Sequence, residues 1–257
     1  MIALEARSLT VRRGGRAILD DVSFAARAGD FVAVVGANGA GKSTLLSTLA
    51  GLLKPDAGSV MLNGTPIVSL SGRELARRRA YLPQNPRCEW PISVERLVAL
   101  GLTPALPAFG GLPGGEQEKV SRALALCDLL DRREQPATTL SGGELARAML
   151  ARTFVGDPDV LIVDEPITGL DPRHLIDAMQ RLLAVARAGK VVVASLHDLT
   201  VAGRYATHIL ALRDGKVVRA GRAMDILTSQ TIRAVFEVEA RVVETPNGPY
   251  IDYLGPA

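Results

Sequence analysis

Gly36-Ala37-Asn38-Gly39-Ala40-Gly41-Lys42-Ser43-Thr44 follows the apolar run 31–35 and precedes Leu45-Leu46. A strand entering, a glycine-rich turn and a helix leaving form the setting that gives this pattern its chemistry. Gly36, Gly39 and Gly41 permit a tight backbone path with successive N–H groups turned inward, an anion nest at the positive end of a helix. In that arrangement Lys42 reaches the outer phosphates of a nucleotide, the Ser43 hydroxyl takes a place on Mg²⁺, and Thr44 sits near the innermost phosphate. The chain's lysines are Lys42, Lys54, Lys119, Lys190 and Lys216, against 30 basic residues in all, so a generic surface charge is a poor account of Lys42.

The rest of the composition sets bounds. A chain of 257 residues suits one large α/β domain, or a domain with a substantial insertion. No apolar run approaches the ~18 residues needed to span a bilayer, and residues 1–20 lack the apolar stretch of a secretory signal, so a cytosolic location is expected. Cys88 and Cys127 form neither a metal-ligand spacing nor a disulfide framework. A net charge of +3 gives no reason to expect nucleic acid as a partner. The run Arg77-Arg78-Arg79 reads as a solvated helix face.

Along the chain, residues 2–11 and 18–24 alternate loosely around Gly14-Gly15 and predict a hairpin. A second is predicted over 59–68 around Asn63-Gly64. The phosphate-loop helix is expected over 43–53, ending before Lys54-Pro55. Ser71 followed by Glu74 predicts a capping box at the start of a short helix ending near Arg79. Ala80-Tyr81-Leu82-Pro83 then reads as a short strand closed by Gln84. Beyond it strand-like runs stop, and helical spacing takes over at 93–100 and 116–133. In the second stretch Val120, Ala123, Leu124, Cys127 and Leu130 recur at three and four, predicting one buried face. Residues 104–115 are rich in Pro and Gly. Within them Gly110 to Gly115 lack a lysine and a preceding strand, so a mobile surface loop is expected rather than a second phosphate loop.

Three further stretches carry chemistry. Leu140-Ser141-Gly142-Gly143-Glu144 opens a helix as a capping box, yet two glycines in a first helical turn cost about 1 kcal/mol each against alanine. They expose backbone N–H groups at a positive helix end, a natural second surface for phosphate. Val160 to Val163 form an apolar run closed by Asp164-Glu165, and buried strands ending in adjacent acids need a cation or water beside them. Asp164 is placed to hold Mg²⁺ and Glu165 to accept a proton from an attacking water. Val191 to Ser195 form another buried run, with His197-Asp198 just beyond. The glycine loop, Gln84, Asp164-Glu165 and His197 thus each follow the carboxyl end of a predicted strand, where open parallel sheets bind ligands. Hairpins over 209–219 and 240–254, and a helix capped near Thr228, complete the chain.

With those residues in view the chain resembles the ATP-binding subunits of ABC transporters over nearly its full length. Gly36 to Ser43 resembles the Walker A motif, Gln84 the Q-loop, Leu140 to Glu144 the signature motif and Val160 to Asp164 the Walker B motif. Glu165 matches the catalytic glutamate, Gly169 to Asp171 the D-loop and His197 the switch histidine. The fold implied is α/β, a P-loop NTPase cassette with a mainly parallel core sheet, an N-terminal antiparallel β subdomain over the adenine side and an inserted helical subdomain. On this reading residues 1–84 and 157–225 form the nucleotide-binding core, 85–156 the insertion, and 226–257 an appended helix and hairpin.

The resemblance implies an ATPase using ATP and Mg²⁺, with Ser43, Gln84 and Asp164 at the metal and Glu165, His197 and Gln84 in catalysis. Gly36, Asn38, Gly39, Gly41, Lys42, Ser43 and Thr44 would bind the nucleotide from one side. Ser141, Gly142 and Gly143 of a second, head-to-tail copy would bind it from the other. Multi-span permease subunits would receive the insertion at the cytoplasmic face of the membrane, with a substrate-binding protein behind them. Two positions depart from the family pattern: Arg13 stands where an aromatic residue usually stacks on adenine, and Glu144 where Gln is common. Arg13 would stack through its guanidinium plane. The stretch 74–84, His197-Asp198-Leu199 and the C-terminal tail are similar to importers of iron-siderophores, haem or cobalamin. Trp90 to Val94 are similar to the zinc and manganese branch. A soluble, non-transport ABC ATPase and a nucleotide-sensing scaffold are the remaining readings.

Overall fold

The computed structural model describes residues 2–106 and 114–257. Strands β1 (Ile2–Arg13) and β2 (Arg16–Arg27) pair antiparallel about the Gly14-Gly15 turn. Register shifts along the pair explain why its apolar residues alternate only loosely. β3 (Phe31–Val35) is buried along its whole length and runs into the glycine loop. Helix α1 (Lys42–Leu49) ends at Leu49 rather than the expected Leu53, because Ala50 closes it and Gly51, with φ +68°, turns the chain away. β4 (Ala57–Leu62) and β5 (Thr65–Pro66) form the hairpin at Asn63-Gly64, and β4 joins β1 in a sheet ordered β2-β1-β4-β5.

Helix α2 (Gly72–Arg78) is capped by Ser71, whose hydroxyl accepts the Glu74 N–H at 3.2 Å. The expected capping box is only half made, since the Glu74 carboxylate turns forward to Arg78 at 2.9 Å. Arg79 leaves the helix and opens β6 (Arg79–Leu82). From here to residue 156 the described residues hold helices and turns with one isolated bridge, Ser93 to Pro136. Helix α3 (Val94–Ala99) is followed by a 3₁₀ turn over Leu100–Leu102, α4 (Gly114–Leu126) by a second over Leu130–Arg132, and α5 (Gly142–Phe154) closes the stretch. Most of the loop expected over 104–115 lies outside the described residues.

The buried face of α4 is formed by Val120, Ala123 and Leu124, with Cys127 just past the helix, but Leu130 is 43% exposed and Leu129 takes the interior place at 0%. Asp128, at φ +50°, turns the chain out of the helix, so a three-four spacing carried past residue 126 names the wrong leucine. Burial also pushes the Cys127 thiol up to about 12, keeping it an inert core group. The 3₁₀ turn packs tightly on α5: a Cβ on Gly101 would lie 2.0 Å from the Arg152 carbonyl oxygen. Gly101→Ala is therefore expected to destabilise the protein by about 1–3 kcal/mol, seen as a lower thermal midpoint, whereas an unchanged midpoint would mean that this contact yields freely.

The second half alternates strand and helix: β7 (Val160–Asp164), α6 (Pro172–Arg187), β8 (Val191–Ser195), α7 (Leu199–Tyr205) and β9 (His208–Arg213). β10 (Lys216–Arg222) folds back on β9, and short α8 (Ala223–Ile226) leads to α9 (Ser229–Phe236), capped by Thr228 as expected. β11 (Val238–Thr245) and β12 (Gly248–Pro256) close the chain as a hairpin. The main sheet is ordered β10-β9-β3-β8-β7-β6, parallel throughout except for the β9–β10 pair. Phe31, Ala33 and Val35 of β3 face one apolar cluster with the helical stretch, while Val32 and Val34 face another with α1 and the N-terminal sheet. A strand buried on both faces is apolar along nearly its whole length, which is why β3, residues 160–163 of β7 and residues 191–194 of β8 read as unbroken runs.

Candidate functional site

The parallel arrangement delivers four loops to one edge of the sheet, after Val35, Leu82, Asp164 and Ser195. Gly41 caps helix α1 with no side chain bonded to the helix's first N–H groups, so those donors are left for a bound anion. Lys42 is 6% exposed, and its ammonium donates to the carbonyl oxygens of Gly36 at 2.8 Å and Ala37 at 3.0 Å. Burial lowers its pKa, while the charges of Glu165 and Asp164 work in the opposite direction. A cavity of about 600 Å³ is lined by Arg13, Asn38, Gly39, Gly41, Lys42, Ser43, Thr44, Gln84, Glu165 and His197. Residues separated by more than 180 positions thus share one wall.

Glu165 is the hub. Gln84 donates its amide to Oε2 at 2.6 Å, the Thr168 hydroxyl donates to the same oxygen at 3.0 Å, and His197 Nε2 bonds Oε1. Burial works to raise the Glu165 pKa, but the bonds from His197 and Thr168, with the charges of His197 and Lys42, outweigh it and hold the carboxyl below its ordinary value. Asp164 lies behind, buried at the end of β7, with Oδ1 accepting the Ser195 hydroxyl at 2.5 Å. Ser43, Gln84 and Asp164 together offer a hydroxyl, an amide oxygen and one carboxylate. Such hard oxygen donors suit Mg²⁺ shared with phosphate oxygens and water, and among the described residues no cluster of His, Cys, Asp and Glu forms an all-protein cage.

Ser141, Gly142 and Gly143 do not line the phosphate-loop cavity. Ser141 caps α5 in a complete box: its hydroxyl accepts the Glu144 N–H at 3.3 Å, and Glu144 Oε2 accepts the Ser141 N–H at 2.9 Å. The two glycines differ. A Cβ on Gly142 would meet nothing within 4 Å, whereas one on Gly143 would lie 3.2 Å from the His174 ring. His174 is itself held by Asp171, which accepts its N–H at 2.9 Å and pairs with Nδ1 at 2.7 Å. Gly142 does line a separate cavity of about 360 Å³ with Asn85, Leu145 and Glu165.

The box carries a pH signature. Bonds from the Ser141 N–H and hydroxyl hold Glu144 below its ordinary value of 4.5. A depressed acid contributes stability that is present above the unfolded value and lost as pH falls through the folded one. Glu144→Ala is accordingly expected to lower the thermal midpoint at neutral pH and to narrow the gap from the parent as pH drops below about 4.5. A gap that stays constant with pH would show that the carboxylate is not the stabilising group.

Sequence reading pointed to each residue in the phosphate-loop cavity other than Ile18, but three contacts escaped it. Ser195 looked like the last residue of a buried strand, and only the β7–β8 register, which sets Asp164 beside Ser195, shows its role. Thr168 and His174 follow Glu165 on a turn and a helix start whose direction local pattern does not give.

Comparisons with known proteins find relatives along nearly the whole chain. A family model described as ABC transporter matches residues 19–168. The chain is 40% identical to the hemin import ATP-binding protein HmuV of Bradyrhizobium diazoefficiens, over 96% of this chain and 93% of that one. It is 35% identical to the ferric enterobactin transport ATP-binding protein FepC of Escherichia coli, over 95% and 90%. Among solved structures, a chain of an inward-facing ABC transporter assigned to the metal-chelate type superposes with a TM-score of 0.85 at 22% identity, covering 100% of this chain and 98% of that one, a likeness of fold.

Proposed function

We propose, from the premise that this chain belongs to the ABC transporter family, that it is the ATP-hydrolysing subunit of an importer for a metal chelate of the iron-siderophore, haem or cobalamin type. The observation that carries the ATPase chemistry is Glu165, held by Gln84, Thr168 and His197 at the rim of the phosphate-loop cavity. The relatives named for hemin and enterobactin support the cargo class.

The loop 36–44 holds the phosphates, with Lys42 leaving the Gly36 and Ala37 carbonyls for the outer two. Ser43, Asp164 and Gln84 would hold Mg²⁺, which would supply positive charge against that developing on the phosphates. Glu165, kept ionised by its neighbours, takes the proton of the attacking water. His197 orients Glu165 and steadies the terminal phosphate. Arg13 stacks on the base through its guanidinium plane, a contact looser in its selectivity for adenine than the aromatic residue usual at this position.

Because Ser141 to Gly143 stand apart from the phosphate-loop cavity of their own chain, a second copy supplies them, closing each nucleotide between two subunits. A cleft between β6 and α5, lined by Arg77, Arg79, Arg87, Arg152 and Met149, suits a permease segment carrying carboxylates. Among the described residues no helix is long and apolar enough to cross a membrane, so attachment to the cytoplasmic face would run through that permease.

The test is growth of a deletion strain on haem or a ferric siderophore as sole iron source, complemented with the parent or with Glu165→Gln, together with capture of membrane partners by the tagged parent. Rescue by the parent alone, with a permease captured, is the expected result. Rescue that instead tracks zinc or manganese would favour the branch suggested by Trp90 to Val94. A soluble assembly and no growth phenotype would move the protein to the non-transport ATPases.

A further inference from the structure

β8 spends four positions on Val191, Val192, Val193 and Ala194, all buried, and then places a serine where the packing alone calls for another apolar side chain. Ser195 is 0% exposed. A hydroxyl buried that deeply is costly unless it both donates and accepts. It does both: Oγ donates to Asp164 Oδ1 at 2.5 Å and accepts the N–H of Glu165 at 2.8 Å.

Two consequences follow at the neighbouring acids. Successive side chains of a strand point to opposite faces, so Asp164 and Glu165 could not serve one site if β7 simply continued. Glu165 instead adopts φ +50°, a left-handed conformation uncommon outside glycine, and its N–H is bonded to a side chain rather than to a strand carbonyl. The Ser195 hydroxyl therefore marks where pairing stops and the chain turns. On the other acid, Ser195 occupies Oδ1 and leaves Oδ2 for a cation.

We infer that Ser195 is a positioning residue: one buried hydroxyl orients the Asp164 carboxylate and fixes the Glu165 backbone, so that two adjacent acids address the same nucleotide. The inference rests on the reading of Asp164 as a Mg²⁺ ligand and Glu165 as the base. Ser195→Ala removes the hydroxyl and leaves Asp164 Oδ1 and the Glu165 N–H without their partner. Ser195→Thr keeps the hydroxyl.

Two readouts decide. The first is equilibrium binding of a fluorescent, non-hydrolysed ATP analogue while Mg²⁺ is titrated; the second is kcat per folded molecule, with folding followed by circular dichroism. For Ser195→Ala the Mg²⁺ needed for half-maximal binding should rise about tenfold and kcat should fall about 10- to 100-fold, with metal-free binding unchanged. Ser195→Thr should restore both. A merely structural serine would lower thermal stability without moving either readout. Asp164→Asn is the reference: if it loses Mg²⁺ dependence while Ser195→Ala matches the parent, the inference is overturned and the Mg²⁺ assignment stands. An Asp164→Asn protein with parental Mg²⁺ dependence would overturn that assignment, and the inference with it. Should Ser195→Ala not fold, Ser195→Cys keeps a side chain of similar size with a weaker donor, and the same two readouts apply.

Discussion

Glu165→Gln is expected to bind ATP as the parent does and to hydrolyse it about 10²- to 10⁴-fold more slowly, the range that a positioned general base contributes. The substitution is nearly isosteric, and the amide oxygen still accepts from Gln84, Thr168 or His197. What changes is the ability to take a proton, so the loss falls on kcat. ATP-bound dimers should then accumulate, visible as an earlier-eluting species in size-exclusion chromatography with ATP present. Parental phosphate release by the variant would remove Glu165 from the mechanism and leave its three hydrogen bonds as structural ties.

Ser141→Arg should leave nucleotide binding by the single chain intact and abolish dimerisation, with turnover falling about a hundredfold or more, as when a preorganised phosphate-facing donor is lost. Residue 141 sits exposed at the positive end of α5, and a guanidinium there adds bulk and charge to the face that would meet the other subunit's nucleotide. The variant also loses its cap, at a cost of about 0.5–2 kcal/mol. Glu144→Ala separates the two effects, since it dismantles half of the box without obstructing the face. A Ser141→Arg protein that still dimerises with ATP would rule out contribution of the signature residues by a second copy.

Much of this site was legible in the linear sequence because its parts are local. A glycine loop between a strand and a helix, and acids at the end of an apolar run, announce themselves within ten residues. Parallel strands then put the carboxyl-terminal loops together, which is why Gln84 and His197 could be placed despite weak local signals. Ser195 was not legible, because its meaning lies in the β7–β8 register and hence in a hydrogen bond across 31 positions of chain. The half-made box at Ser71 failed for a related reason: Glu74 had a second partner, Arg78, one turn ahead. A helical period continued through Asp128, where the backbone leaves the helix, points to Leu130 in place of the buried Leu129.

The seat of the His174 ring against Gly143 has a bearing on how the protein can drift. Residues 143 and 174 form a steric pair: a methyl group at 143 can be housed only if the ring at 174 withdraws or shrinks. The defect of Gly143→Ala should therefore be partly relieved by His174→Ala, whereas Gly142→Ala, facing open space, should gain nothing from it. Across sequences alignable to this one, side-chain size at the two positions should covary inversely, a trace of intramolecular packing laid over whatever the nucleotide demands of the same glycine.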